Sequence, residues 1–71
     1  MALFQKTLVR ASETRSFHIE HNAAVGWQTR EMDNDRVARQ LDRTEWHRVE
    51  RDLARFAREI EALRLQGWRD A

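Results

Sequence analysis

One periodic run of apolar residues in the last third of the chain constrains the fold more than any other feature. The run has six members, at spacings of three, four, three, four and three: Trp46, Val49, Leu53, Phe56, Ile60 and Leu63. This spacing places all six side chains on one stripe of an α-helix. Thr44 stands where an N-cap is needed, and Gly67 where a left-handed residue ends many helices. We therefore expect a helix from about residue 45 to 66, with Trp68 packed back on Leu63.

Alternation of apolar and polar residues ahead of this helix predicts an antiparallel sheet. Residues 16–21 and 25–31 alternate as half-buried strands do, and residues 36–41 have the pattern of a returning strand. Residues 2–11 suit either an edge strand, at about 3–9, or a short amphipathic helix, and two β-branched residues favour the strand. The expected fold class is α+β: one small domain over residues 1–71, with a meander of three or four antiparallel strands packed against one long C-terminal helix.

Burial sets the expected register of the last hairpin. A loop of residues 33–35 places Trp27 opposite Leu41 and keeps the apolar side chains of both strands on one face. A two-residue turn would divide them between the two faces, so we expect the longer loop. The expected core then consists of Phe17, Ile19, Val25, Trp27, Val37, Leu41, Trp46, Val49, Leu53, Phe56, Ile60 and Leu63.

Chain length favours a partner. A chain of 71 residues buries only about 60% of its unfolded surface, and without cysteine it has no disulfides to add stability. The expected helix is roughly 33 Å long, whereas strands of about six residues give a sheet of only about 20 Å. The last two helical turns would therefore overhang the sheet and need another chain to cover them.

The functional hypothesis follows from this overhang. We expect a small, non-enzymatic protein-interaction or assembly module that forms a homodimer through the distal part of its helix. Trp46 is either an anchor for a protein partner or the first contact between helix and sheet, and the second interpretation is favoured. The expected self-association surface comprises Phe56, Ile60, Leu63, Leu65 and Trp68.

Arginines on the helix suggest an alternative function. Arg48, Arg51, Arg55 and Arg58 recur at spacings of three, four and three, and such a stripe can follow the phosphates of a nucleic acid. Against this, 13 basic residues face 12 acidic ones, and counterion release requires a basic surface. Three acidic residues also lie one helical row away, within reach of Arg48 and Arg55: Glu45, Asp52 and Glu59. A solvated, self-paired surface is the favoured interpretation, and a nucleic-acid-binding domain is the alternative.

No pattern of residues indicates an active site, a cofactor or a metal. The chain has no phosphate-binding loop, dinucleotide fingerprint or nucleophile elbow. His18 and His21, three apart on a strand, should point to opposite faces, and His47 lies far along the chain, so only Glu20 remains as a nearby ligand. No apolar run is long enough for a membrane span, and the N-terminus does not resemble a signal peptide. A cytoplasmic protein is therefore the expectation.

Overall fold

The structure, a computed structural model, describes residues 2–71, which form one five-stranded sheet and one helix. The elements in chain order are β1 (Ala2–Arg10), β2 (Glu13–Asn22), β3 (Gly26–Asp33), β4 (Arg36–Arg43), α1 (Trp46–Leu65) and β5 (Arg69–Asp70). The strands lie in the order β4-β3-β2-β1-β5, and each paired neighbour is antiparallel. The α+β class, the antiparallel sheet and the long helix are confirmed. The expected three or four strands are corrected to five, of which four are long.

The hairpin between β3 and β4 has a shorter turn than expected. Asn34 and Asp35 form the turn with φ angles of 51° and 65°, the left-handed conformation that a two-residue hairpin turn requires. The expected three-residue loop is therefore wrong, and so is the register built on it. Trp27 lies opposite Arg43 rather than opposite Leu41.

This register divides the apolar residues of β4 between the two faces of the sheet. The pairing shifts by one residue at Ala38, and Val37 then lies opposite Met32 on the face away from the helix, 54% exposed. Leu41 faces the helix and is half-buried. No residue of β4 is fully buried. The short turn therefore does reduce apolar burial, as expected for a turn that divides the apolar residues between the two faces.

The core lies between α1 and the strands β1 and β2. Its buried members are Leu8, Phe17, Ile19, Val49, Phe56, Ile60, Leu63 and Trp68. Phe56 is fully buried, with its ring centroid 5.1 Å from that of Phe17 and 6.2 Å from that of Phe4. Leu8 and Trp68 were absent from the expected core. The expected members Val25, Val37 and Trp46 are exposed, which corrects that part of the prediction.

The C-terminal end of the helix forms the predicted cap. Gly67 has a φ of +93°, its backbone N–H donates to the carbonyl of Arg64 at 3.1 Å, and the N–H of Trp68 donates to the carbonyl of Leu63 at 3.0 Å. These two bonds define a Schellman motif, in which an apolar residue after the glycine packs on the last helical turn. The motif directs the chain into β5, which pairs with β1.

The N-terminal end of the helix differs from the expectation. Its N-cap is Glu45 rather than Thr44, and no side chain caps it. The turn between β2 and β3 packs closely against the segment that leads into the helix. A Cβ on Gly26, whose φ is +93°, would lie 2.6 Å from the carbonyl oxygen of Arg43. Only glycine permits this approach, which brings the β2–β3 turn beside the first helical turn.

The helix does not overhang the sheet as expected. The four long strands contain 8 to 10 residues, or about 26–33 Å, and the helix contains 20 residues, or about 30 Å. Ile60 and Leu63 are only 5% and 6% exposed. The expectation that another chain must cover these two residues is wrong, because the strands are longer than the alternating patterns indicated.

Candidate functional site

Charged contacts join the helix to β3 and β4. The Arg43 guanidinium donates from Nε to Oδ2 of Asp52 at 2.9 Å and from Nη2 to Oδ1 at 3.1 Å. Arg55 donates from Nη1 to Oε2 of Glu31 at 2.9 Å. Asp52 and Glu31 are both buried. We call these four residues the ionic seam. Neither pair is predictable from helical spacing, because the partners lie 9 and 24 residues apart.

The contacts of the ionic seam set Arg55 apart from the other three arginines of the predicted stripe. The expected helical pairs of Arg55 with Asp52 and Glu59 are present at 3.7 and 3.6 Å, and Arg48 lies 3.9 Å from Glu45. The Arg55 side chain, however, points toward the sheet and is only 22% exposed. Arg55 is therefore occupied by carboxylates of its own chain, while the other three arginines of the stripe are exposed.

The close packing of charged groups in and beside the ionic seam raises the pKa values of Arg55 and Glu59. Burial works against the charged form of Arg55, but its hydrogen bond to Glu31 and the attraction of neighbouring carboxylates outweigh that effect and raise its pKa. Burial raises the pKa of Glu59, and contact with the Glu31 carboxyl raises it further, against the opposing attraction of Arg55 and Arg15. Three buried polar atoms here have no hydrogen-bond partner among residues 2–71: Arg15 Nε, Arg55 Nη2 and Glu59 Oε2.

A group of aromatic and apolar side chains is exposed beside the first turn of the helix. The rings of Trp27 and Trp46 are 5.4 Å apart, and those of His21 and Trp27 are 5.5 Å apart. Trp46 is 45% exposed, and Val25, in the adjoining turn, is 37% exposed. We call these four residues the tryptophan patch. Trp46 is not a core residue because it is the first residue of the helix, where Trp27 packs on it and 45% of the residue stays exposed. Val25 is exposed because it lies in the turn between β2 and β3.

Most of the expected self-association surface is buried within the chain. Phe56, Ile60, Leu63 and Trp68 all belong to the core, and only Leu65 is exposed, at 82%. The guanidinium of Arg10 also lies over the Trp68 ring, 4.9 Å from its centroid. Because these side chains are covered by their own chain, the distal helix does not need a second chain to bury them. Self-association itself stays a prediction, and it needs a different surface.

The sheet face away from the helix is polar and hydrogen-bonded along its central row, while Val37 and Met32 near the β3–β4 turn are apolar. Gln5, His18, Arg30 and Gln40 form one row across four strands. Arg30 donates from Nε to the side-chain oxygen of Gln40 at 3.2 Å and from Nη2 to that of Gln28 at 3.1 Å. Such a face is typical of an antiparallel sheet that contacts water on one side. It offers no apolar anchor in the row.

The three histidines lie apart. His18 is on the polar face, His21 is on the helix face beside Trp27, and Nδ1 of His47 lies 3.4 Å from a carboxylate oxygen of Glu45. Among residues 2–71, no group of three His, Asp or Glu side chains is arranged to hold a metal, and no pocket is found. The described helix is also too polar to cross a membrane.

Comparison of the chain with protein-family models, with curated proteins and with solved structures finds no match. A helix packed on one face of an antiparallel sheet supports many unrelated functions, so the fold does not select one. Two surfaces differ from an ordinary solvated exterior: the tryptophan patch, and the helix flank that carries the remaining arginines.

Proposed function

We propose that this protein is a small, non-enzymatic interaction module that pairs with a second copy of itself through the tryptophan patch. One observation carries the proposal: Trp46 is 45% exposed while its ring packs on that of Trp27, 5.4 Å away. Tryptophan residues dominate the binding energy of protein interfaces when they fill a pocket on the partner. Trp27, packed at 5.4 Å, supports the Trp46 ring and limits its motion before binding.

The charges around the patch favour a second copy as the partner. Glu45 lies 3.4 Å from His47 and 3.9 Å from Arg48, so the rim carries paired charges rather than an excess of one sign. Such a rim does not repel its own copy, and two-fold dimers are the commonest protein assemblies. The patch is small, so we expect dissociation constants at the micromolar level or weaker. The proposal retains the expectations that the protein is not an enzyme and that it acts in the cytoplasm.

Sedimentation velocity with two patch variants and one control variant tests the proposal. Wild-type protein is examined from about 5 to 500 µM, a range that spans weak and moderate dimers. Trp46→Gln removes the anchor, and Leu65→Gln removes the most exposed apolar side chain at the other end of the helix, 82% exposed. Val25→Asp is a second patch variant that leaves the tryptophan pair intact. We expect the wild type and Leu65→Gln to dimerise alike, and both patch variants to be monomeric at concentrations where the wild type pairs.

Three results would overturn the proposal. A wild-type monomer throughout the range would show that the patch does not bind a second copy. Loss of pairing in Leu65→Gln alone would return the interface to the distal helix. Unchanged pairing in both patch variants, with native circular dichroism, would show that another surface is used. Substituting Ile60 or Leu63 by glutamate is not a useful test, because both side chains are buried in the core.

A further inference from the structure

The chain leaves the helix through a turn with open surroundings. Gly67 has a φ of +93°, and apart from its chain neighbours no atom would lie within 4 Å of a Cβ placed there. Glycine adopts such a φ at no steric cost, so the backbone can turn at this residue. Residues 68–71 then run along the outer edge of β1, where β5 pairs with it. We call residues 68–71 the strap.

Few backbone hydrogen bonds hold the strap on β1. Its two-residue strand lies opposite Leu8 and Val9, and the N–H of Ala71 donates to the carbonyl of Thr7 at 3.0 Å. Hydrogen-bonding direction alternates along an antiparallel strand, so the backbone groups of Thr7 and Val9 point to the strap and those of Leu8 point to β2. Such a short pairing at a sheet edge opens more readily than the pairing of β1 with β2, which extends along the whole of β1.

One carboxylate ties the strap to both β1 and the helix. Nζ of Lys6 donates to Oδ2 of Asp70 at 3.0 Å, and Nη2 of Arg64 lies 3.0 Å from Oδ1 and 3.2 Å from Oδ2. The same hydrogen bonds lower the pKa of Asp70, so the carboxylate is charged at neutral pH. The three side chains are 33–46% exposed, and ion pairs in contact with water contribute little stability. The strap is therefore fastened by a weak electrostatic contact.

The apolar anchor of the strap contains an unpaired donor. Trp68 is 5% exposed and belongs to the core, with the Arg10 guanidinium 4.9 Å from the centre of its ring. Its indole Nε1 is buried and has no hydrogen-bond partner among residues 2–71. A buried N–H without an acceptor disfavours the position that buries it, and water satisfies this group when the ring moves out. Trp68 therefore holds the strap less firmly than a wholly apolar ring would.

The rest of the core does not depend on the strap. Phe56 contacts Phe4 on β1 and Phe17 on β2, so the helix is joined to both strands directly. Of the buried core residues, only Trp68 lies in the strap. Departure of the strap therefore leaves the helix, β1 and β2 packed together.

We propose that the strap opens as one unit about Gly67 while the rest of the domain stays folded, and that the Asp70 carboxylate holds it closed. Opening uncovers the outer backbone edge of β1 at Thr7 and Val9. An uncovered edge is a template on which a strand of another molecule can pair. The strap thus controls access to this edge: closed, it occupies the backbone groups that a further strand would use.

Native-state hydrogen exchange followed by NMR tests the opening in the wild-type protein. The amides of Thr7 and Val9 should exchange faster than that of Leu8, which faces β2, and faster than that of Phe17 in the central strand. Low concentrations of urea should change exchange at Thr7 and Val9 little, because opening the strap exposes little surface. Exchange at Phe17 should rise steeply with urea, because it requires unfolding of the whole domain.

A pair of aspartate variants tests the role of Asp70. Asp70→Asn removes the charge and keeps the size of the side chain, and it should speed exchange at Thr7 and Val9 at least about threefold. The indole N–H of Trp68 should accelerate by the same factor, because the strap moves as one unit. Asp42→Asn is the matched control, since Asp42 is another exposed aspartate on a strand at the sheet edge. It should leave exchange at Thr7 and Val9 within about 1.5-fold of wild type.

Four results would overturn the proposal. Equal exchange and equal urea dependence at Val9 and Phe17 would show that the strap leaves only when the whole domain unfolds. No acceleration in Asp70→Asn, or the same acceleration in Asp42→Asn, would show that the Asp70 carboxylate does not hold the strap. An unchanged Trp68 indole beside faster Thr7 and Val9 would show fraying of β5 without movement of the strap as a unit. None of these results bears on the tryptophan patch, which is formed by other residues.

Discussion

The helix contacts the two halves of its sheet in different ways. Over β1 and β2 the contact is apolar, with Phe56 against Phe4 and Phe17 at the centre of the core. Over β3 and β4 it consists of the ionic seam and, at the start of the helix, the packing of Trp27 on Trp46. A buried apolar side chain contributes about 1.5–3 kcal/mol, whereas a buried ion pair is often no better than an apolar replacement. We infer that the apolar half supplies most of the stability, and that the ionic half determines where the helix lies.

The difference also appears in the strands themselves. The central strand β2 buries Phe17 and Ile19 completely, while the edge strand β4 has no fully buried residue. Three arginines and a one-residue bulge at Ala38 instead protect the β4 edge from pairing with other strands. The hairpin of β3 and β4 is therefore the part of the sheet with the least apolar support, and we expect its amide hydrogens to exchange first.

The largest expected effect is in the apolar half. Phe56→Ala deletes a fully buried ring and should cost about 3–5 kcal/mol in free energy of unfolding. A domain of 71 residues has roughly 4–10 kcal/mol in total, so much of the variant should be unfolded at physiological temperature. Urea denaturation followed by circular dichroism measures the loss. Leu65→Ala, at an exposed site, is the control and should change stability by less than about 0.5 kcal/mol; a similar small loss in Phe56→Ala would remove the proposed division between the halves.

A smaller effect is expected in the ionic seam. Asp52→Asn leaves the Arg43 guanidinium facing a neutral amide and should cost about 2–3 kcal/mol. Replacing both partners, as Arg43→Met with Asp52→Leu, should restore stability to within about 1 kcal/mol of wild type, because burying a matched ion pair gains little over apolar packing. Urea denaturation of the single and double variants gives the comparison. A double variant as unstable as Asp52→Asn would mean that the ionic half supports the fold as strongly as the apolar half.

The smallest effect concerns pH. Burial and the neighbouring Glu31 raise the pKa of Glu59 in the folded protein, so the folded state holds this proton more tightly than the unfolded state does. The resulting stabilisation is complete below the unfolded pKa and is lost as pH rises through the folded one. Stability should therefore increase modestly as pH falls from about 7 toward the ordinary glutamate pKa of about 4.3, and Glu59→Gln should remove the increase and stabilise the protein at pH 7.

Thermal unfolding at several pH values measures this effect, with Glu61→Gln as the control on the exposed flank. At lower pH, Asp70 on β5 has the opposite effect on the free energy of unfolding. Hydrogen bonds from Lys6 and Arg64 lower the pKa of Asp70, so its stabilisation is present above its ordinary pKa and is lost as pH falls through the lowered value. A stability curve that falls steadily from pH 7 to pH 5 in the wild type would contradict the role assigned to Glu59.

Features that depend on neighbours in the chain were predictable. The Schellman motif at Gly67 and the pairs of Arg55 with Asp52 and Glu59 involve residues at most five positions apart, where helical geometry alone sets the distance. The register of the β3–β4 hairpin was not predictable from burial. The turn conformation of Asn34 and Asp35 outweighed the apolar pattern and exposed Val37.

The candidate sites were only partly foreseen. The sequence pattern favours Trp46 as the first contact between helix and sheet over a partner anchor. In the structure it does contact Trp27 of the sheet, and 45% of it is also exposed. The arginine stripe was recognised, but its division follows from Glu31, which lies 24 residues from Arg55. Arg39 lies opposite Glu31, rather than opposite Thr29 as the expected register would place it, because β4 pairs with β3 in the observed register.

By itself, the sequence determined a long amphipathic helix with a defined end, an antiparallel sheet before it, and a chain with almost no net charge. Each of these follows from spacing or composition, which act over a few residues or over the whole chain at once. The tertiary structure alone decided that β5 pairs with β1, that the distal helix is covered by its own sheet, and that Trp46 is left exposed. These outcomes depend on contacts between distant segments, and such contacts exist only once the packing of the whole chain has fixed which segments meet.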